Sequence, residues 1–232
     1  MGIKYPVNEG FFENWTRKMA YVLGYLYADG SLENSPIIRG KYVRVTSTDK
    51  ITISKFKSWL GSGHKIVKIN PPSHNRKPLY RLRIGSHKMY NDLINLGLYP
   101  HKSLTIKLIS LPNKFLSDFV RGYFDGDGCV YVEKNKDKTR IKRLSIIFSS
   151  GSKIFLEQLR NMLSKKINLS MHPVHKGNRS FQLRYSTKDS LELFKLMYHQ
   201  CPIDICLKRK SDIFLSYFKS RSRKLPDNII LR

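Results

Sequence analysis

Two aspartates at matching places in this 232-residue chain carry the most chemical information. Asp29 comes eighth of nine in Val22-Leu23-Gly24-Tyr25-Leu26-Tyr27-Ala28-Asp29-Gly30, and Asp127 takes the same place in Val120-Arg121-Gly122-Tyr123-Phe124-Asp125-Gly126-Asp127-Gly128. Each segment reads as the end of a helix, so each carboxylate falls where the backbone already carries partial negative charge. The mismatch costs on the order of 0.3–1 kcal/mol at an exposed site. A single Asp-Gly would read as an ordinary turn. Two in register ask for a compensating cation, and oxygen ligands at helix ends suit Mg²⁺, with Mn²⁺ or Ca²⁺ able to take the same place. Such a centre binds phosphates, polarises them and activates water.

The elements that position these residues come from a duplication. The motif recurs at an offset of 98 (127 − 29), and three more matches follow it. Val45-Thr46-Ser47 matches Phe148-Ser149-Ser150, Tyr80-Arg81-Leu82-Arg83 matches Phe181-Gln182-Leu183-Arg184, and Lys102-Ser103 matches Lys210-Ser211. Their offsets, 103 (150 − 47), 101 (184 − 83) and 108 (210 − 102), differ little, as expected for one module written twice with small insertions. The boundary falls at Leu111-Pro112-Asn113, giving modules 1–111 and 112–232. In the first copy the periodicity predicts a helix over 15–28 stopped by Gly30, strands over 31–38 and 41–47, and a helix over 51–60. Strands over 64–70 and 79–84 follow, joined by a Pro-, Ser- and Asn-rich loop, then a helix over 89–96 ended by Gly97. The second copy places strands at 129–133, 141–149, 171–175 and 181–185. The fold class is α+β, each module running helix, hairpin, helix, hairpin, helix.

Small residues four apart, Gly24 and Ala28 on one motif helix and Gly122 and Gly126 on the other, allow the two backbones to approach closely. Packed so, the helices bring Asp29 and Asp127 together at one end. Strand alternation separates two faces. Tyr80, Leu82 and Ile84 share one face and Arg81 and Arg83 the other; Val43 and Val45 oppose Tyr42, Arg44 and Thr46; Phe181, Leu183 and Tyr185 oppose Gln182 and Arg184. Arg143 and Ser145 extend the polar set, which is expected to be basic and not acidic. A two-stranded ribbon fits the DNA major groove, where Arg and Gln pair with guanine and adenine edges.

Composition agrees. Lys and Arg outnumber Asp and Glu by 43 to 17, a net charge of +26, while hydrophobic residues make up 41% and support a folded core. Such self-repulsion points to a polyanionic partner. No apolar run reaches the roughly 18 residues of a spanning helix, and the first residues do not read as a signal or transit peptide. Cys129, Cys201 and Cys206 are odd in number and form no CxxC, which points to a reducing intracellular compartment. Richness in Lys, Ile and Asn fits an organelle or a prokaryotic cytoplasm. His172 and His175 read as loop histidines near a phosphate rather than a metal site. The segment Ser220-Arg221-Ser222-Arg223-Lys224 reads as an exposed basic extension.

The paired nine-residue motifs resemble those of the LAGLIDADG homing endonuclease family in its single-chain, two-motif form, over about Trp15 to Lys219. The first copy departs at Tyr27, where the pattern has an acidic residue; the second has Asp125. The resemblance implies two pseudo-symmetric αββαββα modules, their antiparallel sheets forming a concave saddle for double-stranded DNA and the motif helices packed at the centre. It implies that Asp29 and Asp127 bind catalytic divalent ions, helped by the carbonyls of Ala28 and Gly126. Lys102 and Lys210 match basic residues near the cleavage centre, which stabilise the pentavalent phosphate or perturb a solvent proton. Ser47 and Ser150 stand where the family often has a longer water-ordering side chain. The activity implied is double-strand cutting by a monomer at a long asymmetric site, leaving short 3′ overhangs. Two other readings stay open: an intron-encoded maturase that binds host intron RNA without cutting, and a DNA-binding relative with dead chemistry. Retention of both aspartates favours the nuclease. No splicing block flanks the two copies and the first residue is neither Cys nor Ser, so an intein origin is not expected.

Overall fold

A computed structural model of the chain describes residues 5–37, 40–72, 77–137, 141–202, 205 and 207–221. The first module runs α1 (Arg17–Asp29), β1 (Gly30–Ser35), β2 (Gly40–Ser47), α2 (Lys50–Trp59), β3 (Ile66–Ile69), β4 (Leu79–Gly85) and α3 (His87–Asn95). The second runs α4 (Leu116–Asp127), β5 (Gly128–Lys134), β6 (Ile141–Ser150), α5 (Lys153–Ile167), β7 (Val174–Lys176), β8 (Phe181–Tyr185), α6 (Thr187–Tyr198) and α7 (Lys208–Ser220). Each module builds one four-stranded antiparallel sheet, in the orders β1-β2-β4-β3 and β5-β6-β8-β7. The expected α+β repeat is therefore present; β1 ends at Ser35 rather than 38, β3 is limited to Ile66–Ile69, and two further departures fall in the second module. The second module carries an additional helix, α7, and β7 begins at Val174, three residues beyond the expected 171.

Local chemistry sets the helix starts. Thr16, Ser86 and Ser152 accept from the backbone N–H three residues on, and Asp49 accepts from Ile51 and Thr52, satisfying donors the helices leave open. Gly97, at φ +82°, ends the turn after α3 in a conformation only glycine adopts without strain. At the start of the expected basic extension, Ser220 is half-buried and Arg221 is exposed, and both are tied to the fold. Ser220 closes α7, and the Arg221 guanidinium donates to the carbonyls of Ile141 and Lys142 at 3.1 and 2.9 Å. Residues 222–224 of that tail, residue 38 of the first expected hairpin, residues 73–76 of the Pro-rich loop and Cys206 lie outside the described residues.

The two motif helices form the centre. On α1 nine consecutive residues, Met19 to Tyr27, are buried, and on α4 Asp118 to Asp125 are. A helix buried on all sides is walled by other elements rather than lying on a surface. The contact between α1 and α4 is backbone on backbone. A Cβ on Gly24 would stand 2.1 Å from the Phe119 carbonyl oxygen, and one on Gly122 would stand 2.0 Å from that of Tyr21. A Cβ on Gly126 would meet the Ala28 Cβ at 2.4 Å. The pairing is reciprocal, as at an isologous interface: Tyr21 and Phe119 hold equivalent motif positions, as do Gly24 and Gly122. Residues near the two N-termini meet each other and residues near the two C-termini do likewise, so the helices run parallel.

Because both glycines face backbone rather than a yielding side chain, neither Gly24→Ala nor Gly122→Ala can be absorbed by a rotamer change. Each is expected to cost at least about 3 kcal/mol, the upper end of the usual overpacking penalty. Urea melts read by circular dichroism check this, and a midpoint unchanged from wild type would contradict the close approach.

Candidate active site at the paired helix ends

Asp29 and Asp127 are the last residues of α1 and α4, and the next residue in each case opens a strand. Parallel packing places both carboxylates at one end of the helix pair. Asp29 Oδ2 lies 3.5 Å from where a Gly126 Cβ would stand, so the absence of that side chain leaves room for the carboxylate. Burial pushes both carboxyl groups up, Asp127 to about 6, and the negative charge of Asp29 pushes Asp127 further in the same direction. Two carboxylates that sense each other in a poorly solvated place form a locus able to bind a cation or a proton.

Lys102 and Lys210 are each only 4% exposed. Lys102 lies in a short 3₁₀ turn, Lys102–Leu104, and its Nζ donates to the carbonyls of Tyr27 (2.8 Å) and Ala28 (3.4 Å). Lys210 lies in the first turn of α7, and its Nζ donates to the carbonyls of Phe124, Asp125 (3.0 Å) and Gly128 (2.6 Å). Both lysines thus cap a motif helix at its negative end. The dipole mismatch inferred from the two aspartates is met at least in part by these ammonium groups, so it does not by itself demand a metal. Burial lowers both lysines to about 8 against the pull of nearby carboxylates, which leaves them mostly charged at neutral pH. The pairing of charges crosses between modules: Lys210 is the foremost stabiliser of ionised Asp29, and Lys102 of ionised Asp127.

Lys210 depends on support that spacing could not reveal. Arg121, fully buried on α4, donates Nε to the Ile205 carbonyl at 2.8 Å and another N–H to Met197, and pairs with Asp118. These bonds tie the segment leading into α7 against the motif helix. Asp125 is buried, and its Oδ2 accepts from Tyr21 at 2.6 Å. Burial raises its pKa, and Lys210 pulls the other way. Tyr27, its counterpart, donates instead to the Leu96 carbonyl at 2.8 Å.

Ser47 and Ser150 end β2 and β6, and their hydroxyls are engaged within the protein. Ser47 accepts from the Tyr25 hydroxyl at 3.0 Å and the Asp49 N–H at 3.1 Å; Ser150 accepts from the Ser152 N–H at 3.1 Å. Tyr123, the equivalent of Tyr25, donates to the Ser149 carbonyl at 2.6 Å. Burial raises both tyrosines, and so do Asp29 for Tyr25 and Asp127 for Tyr123, so both remain neutral donors. The recurring Gly-Tyr of the two motifs was the available signal for this pair.

Register separates the sheet faces as alternation predicts. Val43, Val45, Leu82 and Ile84 are buried while Tyr42, Arg44, Thr46, Arg81 and Arg83 lie on the opposite face; Leu144 and Leu183 are buried while Arg143, Ser145, Gln182 and Arg184 do not point into the core. One expectation about this face is overturned: it is not free of acid. Glu33 pairs with Arg44 and Arg83, and Glu133 with Lys142 and Arg143. Alternation from Ser31 would have placed Glu33 there. His172 lies in a loop; its Nε2 is 2.7 Å from the carboxylate of Asp189 on α6 and its ring meets Tyr185 edge-on, a tie between elements.

Comparison with known proteins agrees with the architecture. Residues 114–196 match the family model of the LAGLIDADG-like domain. The homing endonuclease I-WcaI bound to its DNA recognition sequence superposes with a TM-score of 0.60 at 16% identity, covering 90% of this chain and 91% of that one. The LAGLIDADG meganuclease I-AabMI bound to uncleaved DNA gives 0.57 at 15% identity, covering 90% and 92%. The fold is therefore that of the single-chain LAGLIDADG homing endonucleases. The family model matches within the second module, and the fold has both motif helices in place. In sequence it is also 26% identical over 196 residues to the probable translation initiation factor IF-2 of Methanocaldococcus jannaschii; the match takes in 78% of this chain but only 15% of that longer protein. No helix among the described residues is long and apolar enough to cross a membrane.

The raised carboxyl of Asp127 has a thermodynamic consequence. A group that binds its proton more tightly in the folded state gives stability that is present at low pH and lost as pH rises, here from about 4 to about 6. Asp127→Asn is expected to flatten that slope and raise Tm by several degrees at pH 7.5, the upper bound being about 3 kcal/mol for a shift of about two units. Thermal melts across pH 4–8 without divalent ions test this; a lower Tm for the variant at pH 7.5 would contradict it.

Proposed function

We propose that this protein is a site-specific endonuclease that hydrolyses both strands of a long, asymmetric DNA site with divalent metal. The observation that carries the reading is the meeting of Asp29 and Asp127 at one end of the helix pair, with Lys102 and Lys210 buried against the helix-end carbonyls beside them. The donor set fits Mg²⁺. Among the described residues no three His, Cys, Asp or Glu side chains gather, and Mg²⁺ typically takes one or two carboxylates and fills its remaining positions with waters and substrate phosphates. Asp29 and Asp127 would hold the ion, with the Ala28 and Gly126 carbonyls beside them; Mn²⁺ or Ca²⁺ could take the same donors. Bound there, it supplies Lewis-acid charge to the phosphate and lowers the pKa of water.

The residues of the chain do the rest. Lys102 and Lys210 keep the carboxylates ionised at neutral pH and hold the helix ends together, and their positive charge favours the extra negative charge that phosphate gains as it reacts. Ser47 and Ser150, already engaged, fix the strand ends rather than order water. Tyr42, Arg44, Thr46, Arg81 and Arg83 contact one half of the site, and Arg143, Ser145, Gln182 and Arg184 the other. Because the two sets differ, the halves of the target differ, and one folded chain suffices as a monomer. Many phosphate contacts by a chain of net charge +26 make binding weaken steeply with salt.

Incubation of the purified protein with a library of candidate insertion sites in plasmid, with Mg²⁺ or with EDTA, tests the reading. Expected are specific double-strand cuts with Mg²⁺ and none with EDTA. Asp29→Asn and Asp127→Asn should each bind the duplex as wild type does but nick it or leave it whole. Full cutting by the double Asn variant would remove the proposed site. Tight binding of structured intron RNA with no duplex cut would favour the maturase alternative.

A further inference from the structure

The polar face of the first sheet has a feature its counterpart lacks. Glu33 on β1 reaches across the strands to two arginines: Oε1 lies 2.8 Å from Arg44 Nη1 on β2, and Oε2 lies 2.7 Å from Arg83 Nε on β4. Arg44 Nε also donates to Ser31 Oγ at 2.9 Å, and the Arg83 guanidinium lies 3.4 Å from the centre of the Tyr42 ring. One carboxylate thus fixes two long side chains that would otherwise sample many rotamers. The bond to Arg83 uses Nε and leaves the terminal Nη edge outside it, the edge suited to bidentate pairing with guanine O6 and N7.

The second sheet is built differently. Gly30 pairs with Val45 and Val45 with Leu82, as Gly128 pairs with Phe148 and Phe148 with Leu183, so Tyr131 stands where Glu33 does and Arg184 where Arg83 does. Arg184 lies over the Tyr131 ring at 5.7 Å, and no carboxylate among the described residues is paired with it. The position of Arg44 is taken by Ile147. Glu133 lies farther out on β5 and pairs more loosely, at 3.3 Å with Lys142 and 3.8 Å with Arg143.

Resting on the endonuclease reading above, we propose that Glu33 is a specificity-determining positioning residue, which holds Arg44 and Arg83 for base contact so that the half-site under the first sheet is read more strictly than the half under the second. Two effects act together. Fixed arginines lose less freedom when they meet the correct base. A carboxylate among them also disfavours their diversion to phosphates, which any sequence offers, and so works against wrong partners.

The test is selection of binding sites by the intact protein from a random duplex library in EDTA, where no cutting intervenes, together with its affinity for random-sequence duplex. Wild type should select a site whose halves differ in stringency. Glu33→Gln should bind random duplex more tightly, with steeper salt dependence, and lose about tenfold discrimination at base pairs of the stricter half alone. Glu33→Asp, charged but shorter, should fall between, and Glu192→Gln, which removes an ion pair with Lys195 on α6 away from the sheet face, should leave both halves unchanged. The Tm of Glu33→Gln should stay near wild type because exposed pairs contribute little to stability. Relaxation spread over both halves overturns the proposal. A preferred site in wild type that Glu33→Gln keeps unaltered overturns it while leaving the endonuclease reading intact. A wild type that selects no duplex overturns both.

Discussion

The structure depends on one steric constraint, the direct contact of two helix backbones at Gly24 and Gly122. With a Cβ at either position about 2 Å from a facing carbonyl oxygen, the helices could not sit at this distance. Everything charged at their ends follows from that distance. The contact forces Asp29 and Asp127 into one poorly solvated place, and it lets the capping lysine of each module act on the aspartate of the other. Helices a few ångströms farther apart would leave two ordinary surface carboxylates.

The arrangement is electrostatically balanced while the site holds only protein groups. Two carboxylates and two buried ammonium groups share the helix ends, and the lysines already bond carbonyls that a bare helix terminus would leave open. A cation entering the proposed site therefore competes with lysine charge as well as with protons. Asp125 adds an asymmetry: it lies beside Lys210 and is fully buried, whereas the first module has Tyr27 in its place, bonded elsewhere. The two helix ends are equivalent in backbone and unequal in their ionisable groups.

Legibility in the sequence followed the range of the interactions. The duplication, the small-residue stripe and the alternation of strands are local patterns, and they located both motif helices, both sheets and the face on which Arg44, Arg83 and Arg184 lie. The end of α4 was found because Asp127 repeats Asp29. What escaped depended on contacts between distant segments. Ile205, just before α7, is held by Arg121, 84 residues earlier in the chain, so no periodicity announced the role of α7. Lys102 and Lys210 were identified by repetition, but their burial against helix carbonyls follows from tertiary packing. Glu33 was legible by alternation; a strand read as merely basic concealed it.

Asp29 ends a helix and Gly30 begins a strand, and Asp127 and Gly128 do the same, with no intervening residue. Gly30 and Gly128 already take extended backbone angles and pair across the sheet. Each carboxylate is thus rigidly geared to the strand that follows it, without slack to absorb a change of angle. In the proposed endonuclease, a sheet recarved to seat against a different groove would tilt its own aspartate with it, so retargeting and turnover would trade against each other, and grafts preserving the angle between strand and helix should keep both.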